Sequence, residues 1–213
     1  MTFELYEFNL AKENFQEHIM FTGIIESIAV VEEVTPEGTN KNFILSSAIS
    51  HELKVDQSVC HNGVCLTVTK TEGGKYWVSA INETLEKSNL GQLVPGSVVN
   101  IERSMLNNGR FDGHIVQGHV DQVGTVKSIK DLGGSWALDL VYDPSLSNIT
   151  VEKGSICVNG VSLTCFNSSE GAFSVAIIPY TYSNTNLGKV KAGATVNLEF
   201  DIVGKYIRKL VGK

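Results

Sequence analysis

Slid against itself by 97 residues, the chain aligns residues 58–102 with 155–199 without a gap, and 18 of those 45 positions are identical. The match centres on Asn62-Gly63-Val64-Cys65-Leu66-Thr67 against Asn159-Gly160-Val161-Ser162-Leu163-Thr164. It continues with Asn89-Leu90-Gly91 against Asn186-Leu187-Gly188, and Val99-Asn100-Ile101-Glu102 against Val196-Asn197-Leu198-Glu199. The front ends correspond at an offset two residues shorter, setting Gly23-Ile24-Ile25-Glu26 beside Gly118-His119-Val120-Asp121. A period near 95 residues is too long for one layer of a solenoid, so each copy must bury a core of its own. The expected organisation is a domain over residues 20–109 and a homologous one over 110–201, with 1–19 as an N-terminal extension and 202–213 as a C-terminal helix.

Inside each copy, short segments of apolar-polar alternation are separated by Gly and Asn. They fall at 24–31, 64–70, 76–81 and 97–101, then at 124–129, 136–142, 161–166, 172–178 and 194–200. Short strands punctuated by turn residues predict antiparallel barrels or sandwiches, an all-β chain. Residues 107–113, Asn-Asn-Gly-Arg-Phe-Asp-Gly, form the natural linker. From 202 to 211 the pattern changes: Ile202, Val203, Tyr206, Ile207, Leu210 and Val211 recur at three and four, with Lys205, Arg208 and Lys209 opposite. That spacing predicts an amphipathic helix. A helix this short is marginal alone in water, so its apolar stripe needs a partner surface, either its own barrels or another subunit. Residues 1–19 are an arm or an upstream start ahead of Met20.

Composition narrows the function. A net charge of −6, with no run of Lys and Arg longer than two, lacks the basic footprint of a nucleic-acid binder. The first residues carry Glu4, Glu7, Glu13 and Glu17 and no long apolar run, so neither a signal peptide nor a membrane span is expected, and the location expected is cytoplasmic. Cys60, Cys65, Cys157 and Cys165 then read as thiols rather than a disulfide framework. Cys60, His61 and Cys65 do not fit a structural zinc pattern, and His114 lies at the wrong spacing from His119 to share a metal on one strand face. No metal site, Gly-rich nucleotide loop or nucleophile elbow is expected.

Differences at matched positions show where the copies do different work. Cys65 faces Ser162, Ile24 faces His119, and Asp56 faces Lys153. Each has an ordinary structural explanation: a buried inert thiol, a satisfied strand histidine, a solvated surface cation.

Taken together, Met20-Phe21-Thr22-Gly23-Ile24-Ile25-Glu26, Asn62-Gly63-Val64-Cys65-Leu66-Thr67-Val68, Gly113-His114-Ile115-Val116-Gln117-Gly118-His119-Val120-Asp121 and residues 153–164 resemble riboflavin synthase of the alpha-chain type. The resemblance runs from Met20 to the C-terminal helix. It implies two tandem six-stranded Greek-key barrels, each binding a lumazine and related by a pseudo-two-fold axis, and a C-terminal helix that joins three chains into a homotrimer. It also implies the reaction, dismutation of two 6,7-dimethyl-8-ribityllumazine molecules to riboflavin and 5-amino-6-ribitylaminouracil, with no cofactor. Lumazine synthase is a further expected partner.

Carried over by motif, the resemblance puts N-barrel ligand contacts at Gly23, Ile24 and Ile25, at Cys65, Leu66 and Thr67, and along a strand of Ser79, Ala80, Ile81, Asn82, Glu83 and Thr84. In the C-barrel they fall at Gly118, His119 and Val120, at Lys153, at Ser162, Leu163 and Thr164, and along a strand of Ala176, Ile177, Ile178, Pro179, Tyr180 and Thr181. His119 is the expected proton carrier near neutral pH, Cys65 and Ser162 the candidate nucleophiles, and Ser58 a supporting hydrogen-bonding residue. Tyr180 stands where the family often has His or Glu, Asp112 where Gly is common, and Cys165 where an aliphatic residue is usual. Two rivals share parts of this pattern. A non-catalytic lumazine-binding antenna protein should show decay of one half's motifs, and a reductase's flavin-binding barrel would need a nicotinamide domain as well.

Overall fold

The computed structural model describes residues 20–106 and 108–212. The extension over 1–19 and Asn107 of the linker lie outside the described residues.

The first copy forms β1 (Ser27–Glu37), β2 (Asn40–Ser47), β3 (Ser58–His61), β4 (Val64–Glu72), β5 (Lys75–Ala80), α1 (Asn82–Lys87) and β6 (Val98–Arg103). The second repeats the order: β7 (Gln122–Asp131), β8 (Trp136–Tyr142), β9 (Ser155–Val158), β10 (Val161–Ser169), β11 (Ala172–Ile177), α2 (Pro179–Asn184) and β12 (Thr195–Phe200). Each set closes into an antiparallel barrel, β1-β2-β5-β4-β3-β6 and β7-β8-β11-β10-β9-β12, so the two rings have the same strand order. Closure leaves neither sheet an open edge. Each barrel fills with its own apolar cluster, built on Phe43, Leu45, Tyr76 and Ile101 in the N-barrel and on Leu138, Leu140, Phe173 and Leu198 in the C-barrel.

Asn-Gly is the reason the repeated motif survives in both copies. Asn62 and Gly63 have φ of 48° and 80°, and Asn159 and Gly160 47° and 82°, the pair of positive values a two-residue type I′ hairpin needs. The two turns also meet. A Cβ on Gly63 would lie 2.9 Å from the Gly160 nitrogen, and one on Gly160 2.8 Å from the Gly63 nitrogen. The pseudo-two-fold axis passes between them. Around it six buried asparagines bridge the barrels reciprocally. Asn89 Nδ2 donates to Asn159 Oδ1 (3.1 Å) and Asn186 Nδ2 to Asn62 Oδ1 (2.9 Å). Asn100 Nδ2 donates to the Asn159 carbonyl and Asn197 Nδ2 to the Asn62 carbonyl, both at 2.8 Å. Removing one partner strands another buried amide, a cost of about 1–3 kcal/mol each.

Periodicity found nine strand segments and missed β2, β3 and β9. β3 is four residues, buried throughout, and has no solvent face to produce alternation. β9 is equally short, and β2 carries the unbroken apolar triplet Phe43-Ile44-Leu45. The expected strands from Ser79 to Thr84 and from Ala176 to Thr181 need correcting. β5 stops at Ala80 and β11 at Ile177, and each chain turns at an extended isoleucine, Ile81 or Ile178, into the six-residue helix α1 or α2. Pro179 opens α2 because a residue without an N–H suits a first helical turn and cannot extend a strand ladder.

α3 covers Ile202–Val211, the expected span. The Asp201 carboxylate accepts from Val203 N at 2.9 Å at its start, and left-handed Gly212 ends it. Its apolar stripe is bare: Tyr206 is 65% and Leu210 85% exposed. Among the described residues no helix is long and apolar enough to cross a membrane.

Candidate functional site

The segments leading into the barrels exchange places. Phe21 and Val116, matched positions in the two copies, pair as an antiparallel bridge, with Phe21 N donating to Val116 O at 2.8 Å and Val116 N to Phe21 O at 3.1 Å. Beyond that bridge each segment lies over the other copy's barrel. Ser162 N donates to Gly23 O (2.8 Å) and Cys65 N to Gly118 O (2.9 Å), while Ile25 packs on the C-barrel core and Val120 on the N-barrel core. Only glycine permits this approach. Gly118 has φ +78°, and a Cβ there would sit 2.6 Å from Cys65 Cβ; at Gly23, φ +76°, it would sit 2.7 Å from Ser162 Cβ.

The expected grouping is therefore reversed. Gly23, Ile24 and Ile25 accompany the C-barrel's Ser162, and Gly118, His119 and Val120 accompany the N-barrel's Cys65. Repeat alignment reports the copy to which a segment belongs; β1 starts only at Ser27, which leaves the residues before it free to cross.

Two buried carboxylates hold the exchanged turns. Glu102 accepts from Thr22 N (2.7 Å), Thr22 Oγ1 (2.9 Å) and Gly23 N (3.0 Å). Glu199 accepts from Gln117 N (2.6 Å), Gly118 N (2.9 Å) and His119 N (2.9 Å). Burial pushes the Glu102 carboxyl up to about 7 against the pull of those donors, and it raises Glu199 for the same reason. Sequence reasoning assigned neither residue a role. The available signal was an identical Glu at the end of the matched segments Val99-Asn100-Ile101 and Val196-Asn197-Leu198.

The larger cavity, about 490 Å³, opens where β4, α1 and the second exchanged turn converge. Cys65, Thr84, Glu83 and His119 line it, with Lys87 from α1 and Lys205 from α3 at its charged side. Lys205 Nζ lies 2.7 Å from Asp121 Oδ2. His119 is exposed to this space. Burial raises the Cys65 thiol, and a hydrogen bond with Ser58 pulls it back down, so Ser58 acts on the thiol directly.

A second cavity of about 370 Å³ collects Lys153, Ser162, Leu163, Thr164, Ala176, Ile178 and Thr181 from the C-barrel. Ser162 Oγ lies 2.7 Å from His114 Nδ1, an imidazole that burial keeps toward its neutral form. His114, weighed in the sequence only as a metal ligand, is thus the serine's partner. Several expected positions line neither cavity: Leu66, Ala80 and Ile177 are buried in the barrel walls, and Thr67, Ser79, Ile81, Asn82, Pro179 and Tyr180 are exposed elsewhere.

Tandem closed barrels with exchanged turns, and a cavity at each of the corresponding positions Cys65 and Ser162, define a duplicated small-molecule-binding protein. The family model described as lumazine binding domain matches residues 22–104 and again 117–201. Riboflavin synthases of Actinobacillus pleuropneumoniae and Bacillus subtilis are 40% and 39% identical over 195 residues, covering 91% of this chain and 91% of theirs. One from Schizosaccharomyces pombe is 39% identical over 199 residues, covering 90% of this chain and 94% of its own. The crystal structure of LumP complexed with 6,7-dimethyl-8-(1'-D-ribityl) lumazine shares the fold, with TM-score 0.77 at 20% identity over 84% of this chain and 98% of that one. The chain belongs to the lumazine-binding family and, within it, to the riboflavin synthases. It is an enzyme of that type.

Proposed function

We propose that the chain catalyses the dismutation of two 6,7-dimethyl-8-ribityllumazine molecules, one giving a four-carbon unit to the other, to form riboflavin and 5-amino-6-ribitylaminouracil. The observation that carries this reading is the pair of related but unlike cavities, Cys65 with His119 in one and Ser162 with Lys153 in the other, the serine backed by His114. A reaction between two copies of one molecule needs a donor and an acceptor held alike and treated differently. Alignment of the two bound heterocycles then contributes much of the rate, since they react as if intramolecular.

In this reading His119 moves the proton from one substrate's C7 methyl group, and Cys65 and Ser162, one in each cavity, are the candidates to add to or activate a nucleophile at the other ring. Thr84, Thr164 and Thr181 offer hydroxyls to the ribityl chain. The bare apolar stripe of α3 supports a homotrimer, in which one chain's N-barrel faces its neighbour's C-barrel and closes the site from water. In this reading the site of action is the cytoplasm, with lumazine synthase as a partner.

The test is to incubate the purified protein with 6,7-dimethyl-8-ribityllumazine, without metal or nucleotide, and follow riboflavin by its long-wavelength absorbance. Riboflavin at half the molar amount of substrate consumed is the expected result. Tight binding of unchanged, fluorescent ligand would replace this reading with that of an antenna protein.

A further inference from the structure

The exchanged turns are held from beneath by two buried carboxylates, Glu102 and Glu199. We propose that Glu199 is the positioning residue for His119, fixing the turn that carries the imidazole over the Cys65 cavity, and that Glu102 holds the matching turn, which carries Ile24, over the other barrel. The proposal rests on the role of His119 given above.

Three consecutive amides, those of Gln117, Gly118 and His119, converge on the one buried Glu199 carboxylate at 2.6–2.9 Å. From the other side Cys65 N takes up the Gly118 carbonyl at 2.9 Å, so the turn is registered to β4 on both faces. The imidazole of His119 is exposed and has no hydrogen bond of its own among the described residues. Its placement relative to Cys65 therefore comes from its backbone, which Glu199 holds from one side and Cys65 N from the other. The side chain has no adequate substitute. Aspartate is one methylene too short to reach the amides, and glutamine must turn an NH2 group toward at least one of the N–H donors.

Duplication supplies the comparison needed to test this. Glu102 is as buried as Glu199 and accepts from three donors likewise, yet its turn presents the branched aliphatic side chain of Ile24 in place of an imidazole. If Glu199 acts through His119, losing both residues should cost no more than losing His119 alone, whereas the loss of Glu102 should multiply with that of His119.

The experiment is a pair of double-mutant cycles, reading kcat and, separately, the Kd for 6,7-dimethyl-8-ribityllumazine. Glu199→Gln is expected to lower kcat about tenfold or more with Kd within about threefold, and to add nothing in the His119→Ala background. Glu102→Gln is expected to lower kcat further in that background. If the Glu199→Gln loss also multiplies with His119→Ala, Glu199 is a structural residue only and the proposal fails. An inactive His119→Ala beside a fully active Glu199→Gln overturns the proposal and leaves the reaction reading standing. Full activity in His119→Ala overturns the proposal and the proton-transfer role of His119 on which it rests, and leaves the dismutation itself standing. Should Glu199→Gln not fold, amide hydrogen exchange of the unmodified protein decides. Protection of the Gln117, Gly118 and His119 amides supports the cradle; exchange at the rate of an open chain removes it.

Discussion

The two barrels share one ring order but differ in what fills them. His61 lies inside the N-barrel, its Nδ1 3.0 Å from the Val59 carbonyl and its Nε2 2.9 Å from Tyr76 Oη. A carbonyl only accepts, so Nδ1 carries the proton and Nε2 accepts from the tyrosine. The matched C-barrel positions are Val158 and Phe173, neither of which carries a polar side-chain atom. The site positions diverge too, with a thiol beside Ser58 in one copy and a hydroxyl beside His114 in the other. Groups on the pseudo-two-fold axis did not diverge. The six asparagines satisfy partners from the opposite half, and each carboxylate holds the turn that its own copy lays over the other barrel, so changing one strands a buried group that another element depends on. Side chains that answer only to their own barrel or cavity are free of that constraint.

The matched positions His119 and Ile24 give the largest expected contrast. His119→Ala should lower turnover about 10²-fold or more with ligand Kd near normal, as loss of a proton-transferring group does, while Ile24→Ala changes kcat far less. Steady-state kinetics on both variants checks it, and equal effects would erase the functional difference between the two turns.

The N-barrel's His61 should contribute to an acid limb of stability alongside His114, which burial also lowers. Burial holds His61 down at about 4, against 6.5 for the ordinary imidazole, so the unfolded chain takes up this proton first. The contribution is complete above about pH 6.5 and drains away as pH falls through 4, amounting to roughly 3 kcal/mol. Converting the pair to the C-barrel's, His61→Val with Tyr76→Phe, should flatten that limb in urea titrations run at pH 7 and pH 4.5.

At neutral pH, Tyr76→Phe alone should cost about 1–3 kcal/mol by leaving Nε2 unpaired, and the double variant should recover most of it. A double variant no more stable than Tyr76→Phe would show that the cavity, and not the hydrogen bond, dominates. The smallest effect concerns the turn before β3 and β9, where Asp56 and Lys153 both have left-handed backbone, with φ of 67° and 64°. Lysine tolerates this region less well than aspartate, so Lys153→Gly should stabilise by up to about 1 kcal/mol and Asp56→Gly by less, read from melting temperatures.

How much of this was legible in the chain follows from range. Hairpin turns, the C-terminal helix and the duplication rest on neighbours a few residues apart or on direct self-comparison, and Asn62-Gly63, residues 202–211 and Glu102 against Glu199 could all be read that way. β3 could not, because four residues buried on both faces carry no period. His114 was seen but paired with the wrong question, since its partner Ser162 is 48 residues away.

The sequence by itself determined that there are two homologous all-β units, that their differences lie at Cys65 and Ser162 and at Ile24 and His119, and that an amphipathic helix follows. Only the tertiary structure decided which turn serves which barrel. Repeats preserve the order of side chains along each copy, but the crossing of residues 20–25 and 115–120 depends on amides and carbonyls meeting across the pseudo-two-fold axis, about 80 residues from the carboxylates that hold them. Backbone groups are the same at every residue, so no residue pattern records where they meet.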